Sequence, residues 1–235
     1  MKKHAIFQLD CYSNKQTKKY QFLHNFCVPT VHKYCNKYDI EYLLVTSESK
    51  QVFTYQEKIN LFIDIVNNKK YEKTLFLDLD IYIQDHSPNI FSIECENIEG
   101  CLAMNYRLKE NIDHIKNILS NKISDNEYFR LLNCSIAPNG GVLLFNNDKI
   151  QTQMFQKNQI ENMLTHDEAF ITYKIANRDL SFTIISDLWN NRTLTKESIS
   201  KSYFIHFLSH SFFDDDGYDK TRNTSIENLK NLLSK

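Results

Sequence analysis

Asp78 and Asp80 stand one residue apart at the end of the apolar run Thr74–Leu77, within the stretch KTLFLDLDIYIQ over 73–84. Side chains alternate along extended backbone, so both carboxylates can face the same way. Two hard oxygen donors this close repel each other unless a cation or a proton lies between them. The run itself reads as a strand buried on both faces, with a second apolar pair, Ile81 and Ile83, beyond it. Carboxylates at the carboxyl end of such a strand sit where open α/β sheets bind ligands. The pair predicts a divalent-metal site that holds a phosphorylated ligand; the plainer alternative is a solvated acidic turn.

Four other stretches carry groups able to do chemistry. His206 follows an apolar run in YFIHFLSH (203–210). A lone histidine near a strand end more often serves structure, but beside two carboxylates it suits Mn²⁺ or a similar cation. In THDEAF (165–170), Thr165 or His166 can cap a helix whose first turn Asp167 and Glu168 stabilise through the dipole. Alternatively, one of those carboxylates points into a cleft as base, nucleophile or acceptor contact. In PNGGVLLFNN (138–147), Gly140 and Gly141 permit close backbone approach and Asn139 can hydrogen-bond a ligand hydroxyl, although a tight turn explains the same residues. Lys58, taken alone, is a surface lysine, and Asp214–Asp216 is a solvated loop.

The elements that must position these groups alternate in type. Strands are expected at His4–Leu9, Glu41–Thr46 and Thr74–Leu77, with helices over Lys18–Tyr38, where Pro29 should kink or break the pattern, and over Tyr55–Val66. Strand–helix–strand–helix–strand is two crossover units, hence a parallel sheet of mononucleotide-binding type. The second half is mixed. Strands are expected at Gly100–Asn105, Gly140–Phe145, Phe182–Ile185 and Tyr203–Phe207. Helices are expected at Leu108–Leu119, Ile150–Leu164, Asp167–Ala176 and Ser225–Leu233, the last capped by Ser225 or Thr224. No GxGxxG or GxxxxGK[ST] occurs, which removes a dinucleotide fingerprint and a P-loop.

Composition narrows the class. A chain of 235 residues, 42% hydrophobic and 13% aromatic, builds a full core and is read as one domain. Four glycines and three prolines argue against a turn-rich β-sandwich. A formal net charge of −1 supplies no global field for nucleic acid or an anionic membrane. The basic clusters at Lys15–Lys19 and Lys69–Lys73 read as solvated ends or turns. No stretch approaches a membrane span, the N-terminus does not read as a secretory signal, and six scattered cysteines read as reduced thiols; a cytoplasmic protein is expected.

In this order, the pieces resemble the GT-A nucleotide-sugar glycosyltransferases, and most closely glycosyltransferase family eight, the glycogenin and bacterial galactosyltransferase group. Its lysine-bearing helix, D-x-D strand end, N-x-G-V-hydrophobic strand, D-Q helix start and late H-F-x-G strand have counterparts here. These are Lys58, Asp78-Leu79-Asp80, Asn139-Gly140-Gly141-Val142, Asp167-Glu168 and His206-Phe207-Leu208-Ser209. Two departures stand out. Glu168 takes the glutamine's place, so that His166-Asp167-Glu168 is similar instead to family six, the blood-group and α-1,3-galactosyl transferases. The glycine and lysine after H-F-x-G are missing, and Lys220 or Arg222 could replace the lysine.

The resemblance implies a single α/β GT-A (Rossmann-like) domain with a mixed, mostly parallel sheet, a nucleotide-binding half over about 1–105 and an acceptor half over about 106–235. It implies Mn²⁺ or Mg²⁺ on Asp78, Asp80 and His206. The UDP-sugar donor would lie against Asp10, Tyr12, Lys58, Asp78, Asn139, Gly140 and Gly141, with Glu168 and Asp167 catalytic. The reaction implied is transfer of a hexose, with retention, to a glycan or another hydroxyl acceptor. Two rivals share parts of the pattern. A haloacid-dehalogenase-like phosphohydrolase would use Asp78 as nucleophile with Asp80, and a non-catalytic module would only bind the sugar nucleotide.

Overall fold

The computed structural model of the chain describes residues 2–11, 16–46, 54–67, 70–93, 101–107, 123–133, 137–148, 167–177, 181–207, 214, 216–219 and 224–233. A six-stranded sheet holds the first three strands and three from the second half. The strands are β1 (His4–Asp10), β2 (Glu41–Thr46), β3 (Lys73–Leu77), β5 (Cys101–Arg107), β6 (Ala137–Asn146) and β7 (Ser181–Ile184). Their spatial order is β2-β1-β3-β6-β5-β7. β1 pairs in parallel with both β2 and β3, and β5 with β7, whereas β6 runs antiparallel to β3 and β5. The sheet is therefore mixed and mostly parallel, as expected.

Burial explains the strand choice. Leu75, Phe76 and Leu77 are all at most 1% exposed, because apolar side chains cover both faces of β3. On one face α3 (Thr54–Asn67) sets Ile59, Phe62, Ile63 and Val66, at helical spacing, against Phe76 and Phe145. The Phe62 and Phe76 rings meet edge to face at 4.9 Å, worth about 0.5–1.5 kcal/mol beyond area burial. α5 (Asp167–Ala176) completes this layer through Phe170, Ile171 and Ile175. On the other face α2 (Val28–Tyr38) lays Val31, Tyr34 and Cys35 over Ile6, Leu75 and Leu77.

Pro29 breaks nothing. The helical path runs from α1 (Lys18–Phe22) through a single wide turn, Leu23–Cys27, into α2, with Pro29 in the first turn of α2. In that turn the Val28 N–H donates to Leu23 O, and a proline is tolerated where a helix is restarting. α2 stops at Asp39, which takes the left-handed conformation at φ 54°.

The larger departure concerns the central stretch. Backbone does not stay extended through Asp80: residues 78–80 turn, with the Ile81 N–H donating to Asp78 O at 3.2 Å. Ile81–Ile83 is a separate strand, β4, which pairs antiparallel with β8 (Phe204–His206) in a second, two-stranded sheet. Strand alternation is thus not what brings the two carboxylates together; the turn is.

Several short elements carry no strong periodicity and were not expected. They are α4 (Asp125–Leu132), α6 (Lys196–Lys201), the 3-10 turns Ile90–Ser92 and Asp187–Trp189, and the ribbon of β9 (Tyr218–Asp219) with β10 (Thr224–Ser225). α7 (Ile226–Leu233) begins as read, Ser225 Oγ accepting from the Asn228 N–H at 3.3 Å. The helices expected at 108–119 and 150–164 lie outside the described residues. The basic clusters are less solvated than expected: Lys19 is buried, and Lys73 Nζ donates to Phe91 O and Ile93 O. Cys11, Cys27 and Cys35 are free thiols, and no helix among the described residues is long and apolar enough to cross a membrane.

Phe145 is fully buried between α3 and the sheet. Phe145→Ala is expected to cost about 3–5 kcal/mol of unfolding free energy, read from the urea midpoint at unchanged m-value.

Candidate metal and donor site

The site is assembled where β3, β6, β8 and the start of α5 meet. β3 delivers Asp78 at its carboxyl end, and the turn delivers Asp80. Pairing of β4 with β8 sets His206 opposite Ile81, one residue past Asp80. The Phe207 N–H donates to Asp80 O at 3.1 Å, so the two segments are tied at the level of the carboxylates. His206 Nε2 lies 3.3 Å from Asp80 Oδ1 and 3.8 Å from Asp78 Oδ2. Donor atoms of Asp78, Asp80 and His206 lie within 4.8 Å of one another. Two carboxylates and one imidazole are a fitting donor set for a hard or borderline divalent cation.

β6 passes directly beneath. The Asp78 N–H donates to Gly141 O at 2.9 Å. A side chain at Gly141 would put its Cβ 2.4 Å from His206 Cε1 and 3.0 Å from Asp78 Oδ2; at Gly140 it would lie 2.2 Å from Asp167 Oδ2. The paired glycines are therefore the floor on which the metal site and α5 close, which a plain tight turn does not require.

Lys58 is not a surface residue. Its side chain is 10% exposed, and its ammonium lies 2.9 Å from Asp78 Oδ1 and 2.7 Å from Asp167 Oδ2. It also sits 4.9 Å from the centre of the Phe76 ring. Burial alone would push this ammonium down; the carboxylates of Asp167 and Asp78 outweigh burial and raise it, so it is firmly charged. Burial pushes the Asp78 carboxyl up, Lys58 and His206 pull it down, and Asp80 and Asp167 push it up again, for a net rise. Positive charge beside Asp78 is correspondingly favoured.

Asp167 and Glu168 both open α5 and both are buried. Glu168 Oε1 accepts from Asn139 Nδ2 at 3.0 Å and from the Gly140 N–H at 3.2 Å. Thr165 and His166 lie outside the described residues, as does Tyr12. Asp10 is buried at the end of β1, where Tyr20 Oη donates to its Oδ2 at 3.4 Å and His24 Nε2 lies at 3.3 Å.

Sequence reasoning missed two polar residues of the site. Asn190, 2% exposed, lies between His206 and Asn139. Gln8, fully buried in β1, donates to Asp78 O at 3.0 Å and accepts from Tyr42 Oη at 2.8 Å. The signal for Gln8 was a polar residue inside an otherwise apolar strand. Asn190 had none beyond following a lone tryptophan.

Comparison with known family profiles and with curated sequences gives no match. Solved structures do match. A glycosyltransferase involved in glycosylation of the major capsid of PBCV-1 is similar at 13% identity, covering 98% of each chain, with a TM-score of 0.57. The galactosyltransferase LgtC, solved with donor and acceptor sugar analogues, is similar at 11% identity over 98% of this chain and 95% of its own, with a TM-score of 0.59. Mouse xyloside xylosyltransferase 1 is similar at 11% identity over 88% of this chain and 98% of its own, with a TM-score of 0.55. The fold is that of the GT-A glycosyltransferases.

Lys58→Met removes the counterion of buried Asp167 and of partly buried Asp78 and is expected to cost about 3–5 kcal/mol in urea unfolding. The uncompensated carboxylates then bind protons more tightly in the native than in the unfolded state. Part of the loss should accordingly return as pH falls from neutral through the carboxylate range, and stability should decrease again as pH rises. Gly141→Ala is expected to retain the fold by circular dichroism, lose about 1–3 kcal/mol through overpacking, and weaken divalent-cation binding measured by calorimetry.

Proposed function

We propose that the chain is a metal-dependent glycosyltransferase that moves a hexose from a UDP-sugar to a hydroxyl acceptor, a glycan among the candidates, with retention of anomeric configuration. The observation that carries this reading is the meeting of Asp78, Asp80 and His206, distant in sequence, with ligand atoms within 4.8 Å, at the ligand-binding edge of a GT-A sheet. Similarity to structures of a galactosyltransferase and a xylosyltransferase supports the same class.

Asp78, Asp80 and His206 would hold Mn²⁺ or Mg²⁺. When bound, the cation supplies Lewis-acid neutralisation of the leaving diphosphate. The chain's own residues do the rest. Lys58 would add fixed positive charge near the donor phosphates or bind donor hydroxyls, and it holds Asp167, assigned with Glu168 to catalysis, in place. Asn139, Gly140 and Gly141, assigned to the donor, hold Glu168 and the end of β3 through their amide and backbone groups. Breaking the anomeric bond leaves an oxocarbenium-like sugar that the Glu168 carboxylate is suited to stabilise or trap. Its Oε1 is held by two N–H donors, which fixes its direction. Asp10, the last residue of β1, and Tyr12 are assigned to the uridine.

A haloacid-dehalogenase-like reading of Asp78 and Asp80 explains neither the convergence of His206 on the pair nor the Lys58–Asp167 contact. A purely binding module gives Glu168 no role beyond its hydrogen bonds to Asn139 and Gly140.

A UDP-sugar with Mn²⁺ at about 100 times its dissociation constant should stabilise the protein by about 2.7 kcal/mol, or roughly 5–10 °C in a thermal-shift assay. Asp80→Ala should abolish the Mn²⁺-dependent part; equal shifts with and without metal would contradict the proposal. Glu168→Gln should retain the shift yet slow release of UDP in the presence of acceptor, and undiminished turnover would remove Glu168 from the mechanism.

A further inference from the structure

A run of hydrogen bonds leads from Glu168 to the candidate metal site, and its polarity can be deduced from one end. The Gly141 N–H can only donate, so the Asn139 atom 3.2 Å away is the amide oxygen Oδ1. The other end of Asn139 agrees, because its Nδ2 faces the Glu168 carboxylate at 3.0 Å. Asn190 approaches that same Asn139 Oδ1 at 2.8 Å and must therefore present its own Nδ2. This leaves Asn190 Oδ1, an acceptor with no proton, 2.9 Å from His206 Nδ1. Nδ1 must be the protonated nitrogen. In the neutral imidazole Nε2 then carries a bare lone pair, and it is Nε2 that faces Asp80 and Asp78.

We propose that Asn190 is the positioning residue of the metal site: it fixes His206 as the Nδ1–H tautomer, so that Nε2 is free to ligate, and links it through Asn139 to Glu168. Metal-ligating histidines owe their tautomer and orientation to such partners. In the neutral ring that lone pair faces two carboxylates across 3.3 and 3.8 Å, a repulsion relieved by a cation or by a second proton on Nε2. A merely structural histidine would gain by the opposite tautomer, with Nε2–H donating to Asp80. The backbone is built to hold Asn190 in place. Asn191 bridges β8 on both sides, its N–H donating to Phe204 O at 3.0 Å and its carbonyl accepting from the His206 N–H at 2.8 Å. Trp189 packs on Tyr203 and Phe204. The amide of Asn190 is thereby pinned between two elements that differ in sequence position by about 50 and 16 residues.

This assignment rests on reading Asp78, Asp80 and His206 as a cation site, and the test separates the two. Long-range ¹H–¹⁵N correlation spectra of the metal-free protein report the His206 tautomer directly. Wild type is expected as Nδ1–H, against the preference of free imidazole for Nε2–H. Asn190→Leu should release that preference and weaken Mn²⁺ binding by calorimetry about 10- to 100-fold. Asn190→Asp still accepts from Nδ1–H, so it should keep the tautomer and retain more Mn²⁺ affinity than Asn190→Leu, although its carboxylate meets Asn139 Oδ1 where a donor stood and lowers stability. A scaffold role alone would lower Mn²⁺ affinity in both variants in step with their unfolding temperatures. Nε2–H in the wild type, or Asn190→Leu with wild-type affinity and tautomer, overturns the role of Asn190 while leaving the cation site standing. Wild-type protein that binds no Mn²⁺ overturns both.

Discussion

One buried ammonium ties together the parts of this molecule that matter. Lys58 on α3 reaches Asp78 at the end of β3 and Asp167 at the start of α5. Each carboxylate would be expensive to bury alone, and together they would repel. With Lys58 between them the two elements can close, and β6 lies so near that a Cβ at 140 or 141 would meet Asp167 Oδ2 at 2.2 Å or His206 Cε1 at 2.4 Å. Such ion pairs are weak evidence of net stability but strongly opposed to loss of a single partner. Here the pair sets geometry: it fixes where a strand end and a helix start sit relative to each other.

On the other side of Asp78 the organisation is a run of hydrogen bonds rather than a buried ion pair. His206, Asn190, Asn139 and Glu168 are joined by hydrogen bonds whose direction is set by the backbone N–H groups of β6. The amides of Asn139 and Asn190, Glu168 Oε1 and His206 Nδ1 all have partners along this path, which offsets the cost of burying them. The strand β6 therefore serves both halves. Its apolar residues, Val142 to Phe145, fill the core, and the preceding residues, Asn139 to Gly141, present amides to the site.

Much of the fold was legible from pattern. The strands β1, β2, β3, β6 and β7 and the helices α2, α3, α5 and α7 follow apolar periodicity to within a few residues, because each must bury a face. Short elements such as α6 and the 3-10 turn at Asp187–Trp189 were not legible: helical segments of three to six residues offer too few turns for a periodic signal. The turn at 78–80 was misread as continuing strand, since Ile81 and Ile83 belong to a different sheet and nothing local distinguishes the two sheets.

The sequence by itself determined which groups were available: the carboxylates at 78, 80, 167 and 168, the imidazole at 206, the paired glycines and the apolar strand that carries Asp78. Those are properties of residue type and of neighbours in the chain. Tertiary structure alone decided that Lys58 is buried and shared, that His206 turns Nε2 rather than Nδ1 toward the aspartates, and that Asn190 stands behind it. These facts depend on contacts between segments that no local period connects. Burial and hydrogen-bond direction are settled only when all the strands have closed around the same pocket.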